Sequence, residues 1–305
     1  GGGAAGAAGR RGPMAPSSCS GDQTAMNVAY PIDPDTLYLD PKQAASLGEA
    51  YAATYQSAEP YHHICLDDFL PLPVVETVRE EALALGEKAP EHLSPQEHLK
   101  TSYTPDRMPL YSRAVFSALN SRSFIKFLEG MTGIKGLIPD PYFLGGGIHR
   151  TNNGGYLGIH ADFNHHTQMD LERRLNVLIY LNPDWKPDYG GAFEIWTDDM
   201  SDRVASFAPI MNRMCCFSTS STSMHGNPEP VDHPDGHPRL SIALYYYTAT
   251  WSDSMVEHST LFRRRPGSGD RETRSHDRLK TMRKYTPPVL HGTGERVLRK
   301  LRLVR

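Results

Sequence analysis

Three residues of types that bind metal ions occur in the order His160, Asp162 and His225, and the last follows the second by 63 positions. On a β-strand, side chains two residues apart point to the same face, so His160 and Asp162 would aim an imidazole and a carboxylate at one point. With His225 as the third ligand, the set occupies one face of an octahedron and leaves three positions open, as expected of a non-haem Fe(II) site. We therefore predict that these three residues bind Fe(II).

The second candidate group is Arg239, which follows His225 by 14 positions and precedes a predicted strand at 241–248. Its guanidinium is planar and permanently charged, and it can bind a carboxylate through two parallel hydrogen bonds. A metal with open positions beside an anion clamp predicts an Fe(II) enzyme that uses a dicarboxylate cosubstrate. A zinc hydrolase is not favoured, because the sequence has no HExxH motif to supply a general base.

Other histidines are alternative ligands in place of His160 or His225. They are His149, His165, His166, His233 and His237. We rank them lower because histidines in Pro-rich loops are usually solvated. His149 is also separated from His160 and Asp162 by a loop. We expect the adjacent Cys215 and Cys216 to be buried strand residues, since Fe(II) prefers imidazole and carboxylate here.

The composition is that of a globular protein, with 39% hydrophobic residues among 305. No stretch approaches the roughly 18 consecutive apolar residues that a membrane helix needs. The four cysteines show no CxxC spacing, which disfavours structural zinc and favours a reduced, cytoplasmic compartment. Residues 260–305 carry 14 Lys and Arg against four Asp and Glu, so a basic tail follows an acidic body.

The patterns divide the chain into regions. These are a disordered N-terminal extension at 1–26, a helical support region at 60–135, a β-rich core at 136–251 and a basic C-terminal segment at 252–305. Apolar stripes predict helices at 71–86 and 121–133, each ending at a glycine. The polar, Pro-containing stretch at 87–113 is predicted to be a loop.

The core shows short apolar runs between Gly, Asn, Asp and Pro clusters, as in a sandwich or barrel of β-strands. Strands are predicted at 142–148, 156–160, 175–181, 192–196, 204–207, 214–218 and 241–248. Gly190 and Gly191 are predicted to form a hairpin turn. The expected fold is mainly β with flanking helices, in a jelly roll of two packed antiparallel sheets.

The ordered motifs of the core resemble the prolyl 4-hydroxylase-like branch of the 2-oxoglutarate- and Fe(II)-dependent dioxygenases. The resemblance rests on GYLGIHAD at 155–162, LNVLIYLNPDW at 175–185, Gly190–Gly191, His225–Gly226, Arg239–Ser241 and the tyrosines at 245–247. It implies a double-stranded β-helix, a jelly-roll variant also described as cupin-like. It implies that His160, Asp162 and His225 hold the iron and that Arg239 pairs with the distal carboxylate of 2-oxoglutarate.

The same resemblance implies further cosubstrate contacts. Tyr180 matches a position whose phenol reaches that carboxylate, Ser241 could add a hydrogen bond to it, and Asn176 would line the cosubstrate pocket. The implied reaction couples O2 and 2-oxoglutarate to hydroxylation of a substrate, with release of succinate and CO2. Ascorbate is expected as an auxiliary reductant.

Three positions bear on the subclass. Animal collagen-type relatives have Lys where this chain has Arg239, so a collagen substrate is not supported. Some relatives place Tyr about ten residues before the first His ligand, where Arg150 and Thr151 stand here. Relatives that halogenate lack the carboxylate ligand, and Asp162 therefore favours hydroxylation.

The substrate is left open between a peptidyl proline, an amino acid and a small metabolite. We expect the loops at 87–113 and 164–172 to form the walls of its pocket, because loops carry specificity on such scaffolds. Within the first loop, the candidate contacts are Tyr103, Arg107, Tyr111 and Arg113. Two alternatives remain, namely a non-catalytic metal-binding sensor and, because of the basic tail, an oxidative nucleic-acid demethylase.

Overall fold

A computed structural model of the chain describes residues 1–2, 28–86, 91–92, 97–252 and 254–270. Most of the N-terminal extension and everything after Asp270 lie outside the described residues. The described residues include no helix that is both long and apolar enough to cross a bilayer.

The helices are α1 Pro41–Gln56, α2 Leu72–Ala84, α3 Leu110–Leu119 and α4 Arg122–Thr132. The predictions at 71–86 and 121–133 are confirmed as α2 and α4, whereas α1 and α3 were not predicted. In α1, Asp40 caps the N-terminus by accepting hydrogen bonds from the backbone N–H groups of Lys42 and Gln43. Helix α4 ends at Gly133, whose φ of 76° is a left-handed C-cap.

The strands are β1 His63–Leu66, β2 Glu91–His92, β3 Glu97–Tyr103, β4 Ile138–Pro139, β5 Gly147–Ala161, β6 His165–His166, β7 Leu171–Tyr180, β8 Phe193–Trp196, β9 Arg203–Phe207, β10 Met214–Ser218, β11 Met224–Asn227, β12 Arg239–Thr248 and β13 Leu261–Phe262. They pair antiparallel in the order β1-β10-β7-β12-β5-β11-β8-β9. The sheet curls into a nearly closed barrel with helices on one side, so the predicted double-stranded β-helix is confirmed.

The long strand β5 belongs to both halves of the barrel. Its first residues pair with β12, whereas His160 near its end pairs with His225 of β11. The outer face of β7 and β12 packs against the helices in one apolar core that includes Val177, Ile179 and Ile242. The opposite face of these strands points into the barrel, and that face carries the candidate site.

Several predicted elements differ from the structure. The strand expected at 142–148 begins only at Gly147, because β5 runs from there through the strand predicted at 156–160. Gly190 and Gly191 do not form a hairpin turn, since β7 pairs with β10 and β12 while β8 pairs with β9 and β11. The two glycines instead lie where the chain crosses between the two halves of the barrel.

The prediction of a loop at 87–113 was also wrong in part. It contains β3, which pairs with β5, and helix α3 begins at Leu110. Strand β13 lies beyond the predicted core at 136–251, and Phe262 of this strand stands opposite His160 of β5. Strands β3 and β13, neither of which was predicted, therefore lie beside the strand that carries His160.

Candidate metal and anion site

The three predicted metal ligands lie together at one end of the barrel. His160 lies in β5, Asp162 follows that strand directly, and His225 lies in β11 opposite His160. The Nε2 atoms of His160 and His225 lie 3.4 and 3.3 Å from the two carboxylate oxygens of Asp162. One ligand atom from each residue lies within 4.8 Å of the others, a spacing at which all three can bind one ion.

Both imidazoles are held in the tautomer that leaves Nε2 free. His160 Nδ1 lies 2.8 Å from the carbonyl oxygen of Gly158, and His225 Nδ1 lies 2.8 Å from that of Ser223. A carbonyl only accepts hydrogen bonds, so each Nδ1 carries the proton and each Nε2 keeps its lone pair. Burial, together with the neighbouring His160, lowers the pKa of His225, which favours the neutral ligand form.

Two residues that were not predicted to contact Asp162 hold its carboxylate in place. Arg173 Nη2 lies 3.0 Å from Asp162 Oδ2, and Asn176 Nδ2 donates to the same oxygen at 2.6 Å. Arg173 also donates through Nε and Nη2 to Asn176 Oδ1, at 3.0 and 2.7 Å. Burial raises the pKa of Asp162, but the charge of Arg173 is the largest opposing effect, and that pKa stays well below its usual range.

Arg173 is itself fixed between aromatic rings. It is only 2% exposed, and its guanidinium carbon lies 3.6 Å from the ring centre of Tyr245 and 4.5 Å from that of Phe163. Such stacking is favourable for a desolvated guanidinium. The carboxylate of Asp162 therefore faces the metal position from a rigid support.

The predicted anion clamp, Arg239, is buried on the inner face of β12. Its Nε donates to the carbonyl oxygen of Gly191 at 2.7 Å, and no carboxylate of the described residues lies within 4.0 Å of it. Burial lowers its pKa, although a guanidinium stays protonated. An unpaired buried charge is unfavourable, and the arrangement therefore fits an anionic ligand.

Gly191 makes room for this arginine. Its φ is +66°, and a Cβ placed there would lie 2.9 Å from Cδ of Arg239. A side chain at this position would therefore be strained and would push the guanidinium away. Gly191, predicted as part of a hairpin turn, thus leaves space for Arg239 instead.

Tyr180 and Ser241 stand next to Arg239. The guanidinium carbon lies 4.9 Å from the ring centre of Tyr180, and Ser241 is directly opposite Tyr180 across β12 and β7. The phenol of Tyr180 is buried against this guanidinium, and its oxygen has no other hydrogen-bond partner among the described residues. A phenol whose O–H can still donate, next to a cation without a carboxylate partner, fits the carboxylate end of a ligand.

The metal cluster and Arg239 open into one cavity of about 260 Å³. Apolar walls come from Leu178, Phe193 and Phe217, and Asn176 and Ser241 also line it. Thr151, which stands opposite Arg239 in the strand register, occupies part of the wall near the position where some relatives carry Tyr. The cavity thus joins the predicted metal and anion sites.

The predicted substrate contacts do not line this cavity. Tyr103, Tyr111 and Arg113 instead hydrogen-bond to backbone carbonyl oxygens elsewhere, and Arg107 and the loop at 164–172 also lie outside it. The segment 87–113 does form part of the cavity wall, as predicted, but through Glu97, Lys100 and Ser102 of β3. Thr260 and Phe262 at β13, which were not predicted, also line the cavity.

The alternative histidine ligands are placed elsewhere. His149 reaches the cavity wall, but its Nε2 is 2.8 Å from the carbonyl oxygen of Gly145. His165 pairs with Asp170, and the rings of His233 and His237 contact each other at a separate surface. Among the described residues, only His160, Asp162 and His225 form a cluster of three possible ligands. Cys215 and Cys216 are buried in β10, as predicted.

Residues 146–247 match the family model of the 2OG-Fe(II) oxygenase superfamily. This match confirms the resemblance found in the sequence for that third of the chain. No curated protein matches the chain.

The chain is also similar to solved structures. One is a prolyl-4-hydroxylase from Pseudomonas putida, with 18% identity, a TM-score of 0.46 and coverage of 66% of this chain and 99% of that one. Another is a prolyl hydroxylase from Trichoplax adhaerens in complex with a hypoxia inducible factor peptide, with 16% identity, a TM-score of 0.44 and coverage of 68% and 91%. A third is HygX from Streptomyces hygroscopicus with nickel and 2-oxoglutarate bound, with 11% identity, a TM-score of 0.47 and coverage of 69% and 96%.

Proposed function

We propose that this protein is an Fe(II)- and 2-oxoglutarate-dependent dioxygenase that hydroxylates a small-molecule or peptide substrate and releases succinate and CO2. The proposal rests chiefly on one observation: a buried guanidinium with no carboxylate partner among the described residues shares a cavity with a cluster of two histidines and one aspartate. The superfamily match of residues 146–247 supports it.

His160, Asp162 and His225 would hold the metal through two Nε2 atoms and one carboxylate oxygen. Bound Fe(II) would supply the activation of O2, which the side chains of the protein cannot perform. The backbone acceptors of Gly158 and Ser223 keep the imidazoles oriented, and Arg173 and Asn176 keep the carboxylate in place. The role of these residues is to fix the geometry and leave positions open.

Arg239 would bind the distal carboxylate of 2-oxoglutarate, with the hydroxyl groups of Tyr180 and Ser241 beside it. The keto acid end would then point along the cavity towards the metal cluster. Leu178, Phe193 and Phe217 make the walls apolar, which excludes water and strengthens the charge pairing. A cosubstrate held at both ends is oriented for reaction.

We place the substrate in the part of the cavity between β3 and β13. Lys100 and Glu97 form an ion pair of 2.7 Å there, and both side chains are largely buried. On the other side, the ring of Phe262 lies 5.2 Å from that of His160, and Thr260 lines the cavity beside it. These four residues would contact the substrate in place of the predicted contacts Tyr103, Arg107, Tyr111 and Arg113.

The alternative of a non-catalytic metal sensor has less support. A protein that only binds a metal needs no buried anion clamp, and Arg239 would then carry an uncompensated charge. A nucleic-acid demethylase is also a weaker proposal, because Arg265 in the described part of the basic segment pairs with Glu229 and Asp270.

The direct experiment measures succinate formed from 2-oxoglutarate by the full chain with Fe(II) and O2, across peptides, free amino acids and small metabolites. Turnover by the wild type, stimulated by one substrate class and abolished in His225→Ala, would support the proposal. Arg113→Met is a control in which an arginine outside the cavity is lost. Equal succinate formation by the wild type and His225→Ala would contradict it.

A further inference from the structure

Two thiols face each other across neighbouring strands of the barrel. Cys65 of β1 is directly opposite Cys215 of β10, and their sulfur atoms lie 3.5 Å apart. We propose that Cys65 and Cys215 are a redox modification site, at which hydrogen peroxide forms a reversible disulfide between the two strands. This proposal requires neither the metal nor the oxygenase reaction.

The strand register favours this bond. The N–H of Ser218 donates to the carbonyl oxygen of His62 at 2.9 Å, and these two residues are opposite each other in the same register. Hydrogen-bonded and non-hydrogen-bonded pairs alternate along antiparallel strands, so Cys65 and Cys215, three positions further, form a non-hydrogen-bonded pair. The Cα atoms of such pairs are about 4.5 Å apart, which lies within the range that disulfides span. Side-chain rotation alone can therefore close the gap between the sulfurs.

The two thiols differ in exposure, which assigns their roles. Cys65 is half-buried on β1, and among the described strands β1 has only β10 as a neighbour, so a small oxidant can approach it. Cys215 is 2% exposed, and burial raises the pKa of its thiol. The first thiol would therefore react with the oxidant, and the second would react with the product.

The reaction balances in two steps. The Cys65 sulfur attacks one oxygen of hydrogen peroxide, the O–O bond breaks, and a sulfenic acid and one water form. The Cys215 sulfur then attacks the sulfenic sulfur, the S–O bond breaks, and a second water leaves with the thiol proton. The two thiols lose two electrons and the peroxide gains them.

The Cys65–Cys215 pair lies next to the wall of the cavity. Cys215 is opposite Leu178 of β7, and it lies in the same apolar cluster as Tyr180 and Phe217. Leu178 and Phe217 line the cavity. The disulfide would therefore fasten the edge strand β1 to the strand that supports this wall.

Cys216 is the internal control for this reaction. It is opposite Ile64 and points to the other face of β10, into the core between sheet and helices. It is fully buried, and it has no cysteine across the strand. The geometry therefore predicts that peroxide links Cys65 to Cys215 and spares Cys216.

The test treats the full chain with hydrogen peroxide and maps disulfide-linked peptides by mass spectrometry before and after dithiothreitol. We expect a linked peptide containing Cys65 and Cys215, lighter by two hydrogen atoms than the reduced pair and absent after reduction. Cys216→Ser should keep the link and Cys65→Ser, a change at a half-exposed position, should abolish it. Oxidation should also raise the thermal midpoint of the wild type by several degrees, but not that of Cys65→Ser.

In a second measurement, the peroxide-treated chain is unfolded and its free thiols are alkylated. The proposal is overturned if Cys215 is alkylated while Cys65 is oxidised to a sulfinic acid. It is also overturned if the linked peptides join Cys216 to either thiol, or join different molecules. Because the readouts are mass and thermal stability, they are independent of any catalytic activity.

Discussion

Two buried arginines define the site at the scale of single residues. Arg173 and Arg239 are 2% and 5% exposed, but only Arg173 has a carboxylate partner among the described residues. The first charge is balanced inside the protein, and the second requires a ligand to balance it. This difference supports our proposal that Arg239 binds the cosubstrate, whereas Arg173 supports Asp162.

We expect Arg239→Met to raise the Kd for 2-oxoglutarate by roughly 30- to 1,000-fold, because losing a buried charge pair costs about 2 to 4 kcal/mol. Arg239→Lys should give an intermediate value, since it keeps the charge and loses the planar fork. Titration calorimetry with the metal-loaded protein measures both. An unchanged Kd in Arg239→Met would remove this residue from the cosubstrate site, and Arg113→Met should bind like the wild type.

Arg173→Met tests the support of Asp162 through stability. The pKa of Asp162 in the folded state is depressed, so this group adds stability above its unfolded pKa of about 4, and the contribution is lost as pH falls through the lower folded pKa. Removing Arg173 breaks a buried pair and should lower the free energy of unfolding at neutral pH by about 3 kcal/mol.

Denaturant unfolding of the metal-free protein measures this effect from pH 7 down to about pH 3. The destabilisation of Arg173→Met relative to the wild type should shrink towards the acidic end, because Asp162 is protonated at a higher pH in the variant, which lacks the charge that depresses its pKa. A loss of stability that is the same at every pH would indicate that Arg173 acts only through packing.

At the scale of elements, the segment that contains Gly191 positions the guanidinium of Arg239. Gly191→Ala should raise the 2-oxoglutarate requirement about as much as Arg239→Lys, because a Cβ would lie 2.9 Å from Cδ of Arg239. Gly236→Ala is a matched control, since Gly236 has a similar φ of +71° but open space around it. Both changes strain the backbone, and only the first should alter the cosubstrate Kd. Equal Kd values in the two variants would contradict the positioning role.

The strand β13 gives a second prediction at this scale. Leu261 and Phe262 pair with the end of β5, and the Phe262 ring lies against His160. A chain that ends at Trp251 should therefore bind Co(II) more weakly than one that ends at Asp270, which keeps this strand. Visible absorption of the bound Co(II) measures the difference. Equal affinities would show that β13 does not support the metal cluster.

The residue patterns explain which parts of the fold and of the site could be predicted from the sequence. The order and spacing of His160, Asp162 and His225 were sufficient to place them together, because a double-stranded β-helix aligns β5 with β11. Strand β3 was missed because it is largely polar, with one face towards the cavity. The support from Arg173 was missed because a fully buried arginine contradicts the usual preference for exposure.

At the scale of the whole molecule, ligand binding should be linked to folding. The three proposed ligands come from β11, the end of β5 and the residue after β5, which are far apart in sequence, so a metal would bind tightly only to the folded barrel. A ligand at 100 times its Kd stabilises the folded state by about 2.7 kcal/mol. We expect the thermal midpoint to rise when Co(II) is added and again when 2-oxoglutarate follows, in the absence of O2.

Asp162→Ala is the control for this linkage. It should show neither increase, because the cosubstrate needs the metal as well as Arg239. An increase with 2-oxoglutarate that is the same with and without metal would contradict a shared site.

The most direct test of the account is anaerobic visible absorption of the full chain on addition of Fe(II) and then 2-oxoglutarate. A weak band should form only when both are present, and it should disappear in Asp162→Ala and need much more 2-oxoglutarate in Arg239→Met. The absence of this band in the wild type, or its undiminished formation in Asp162→Ala, would contradict the proposal that these residues hold Fe(II) and 2-oxoglutarate together.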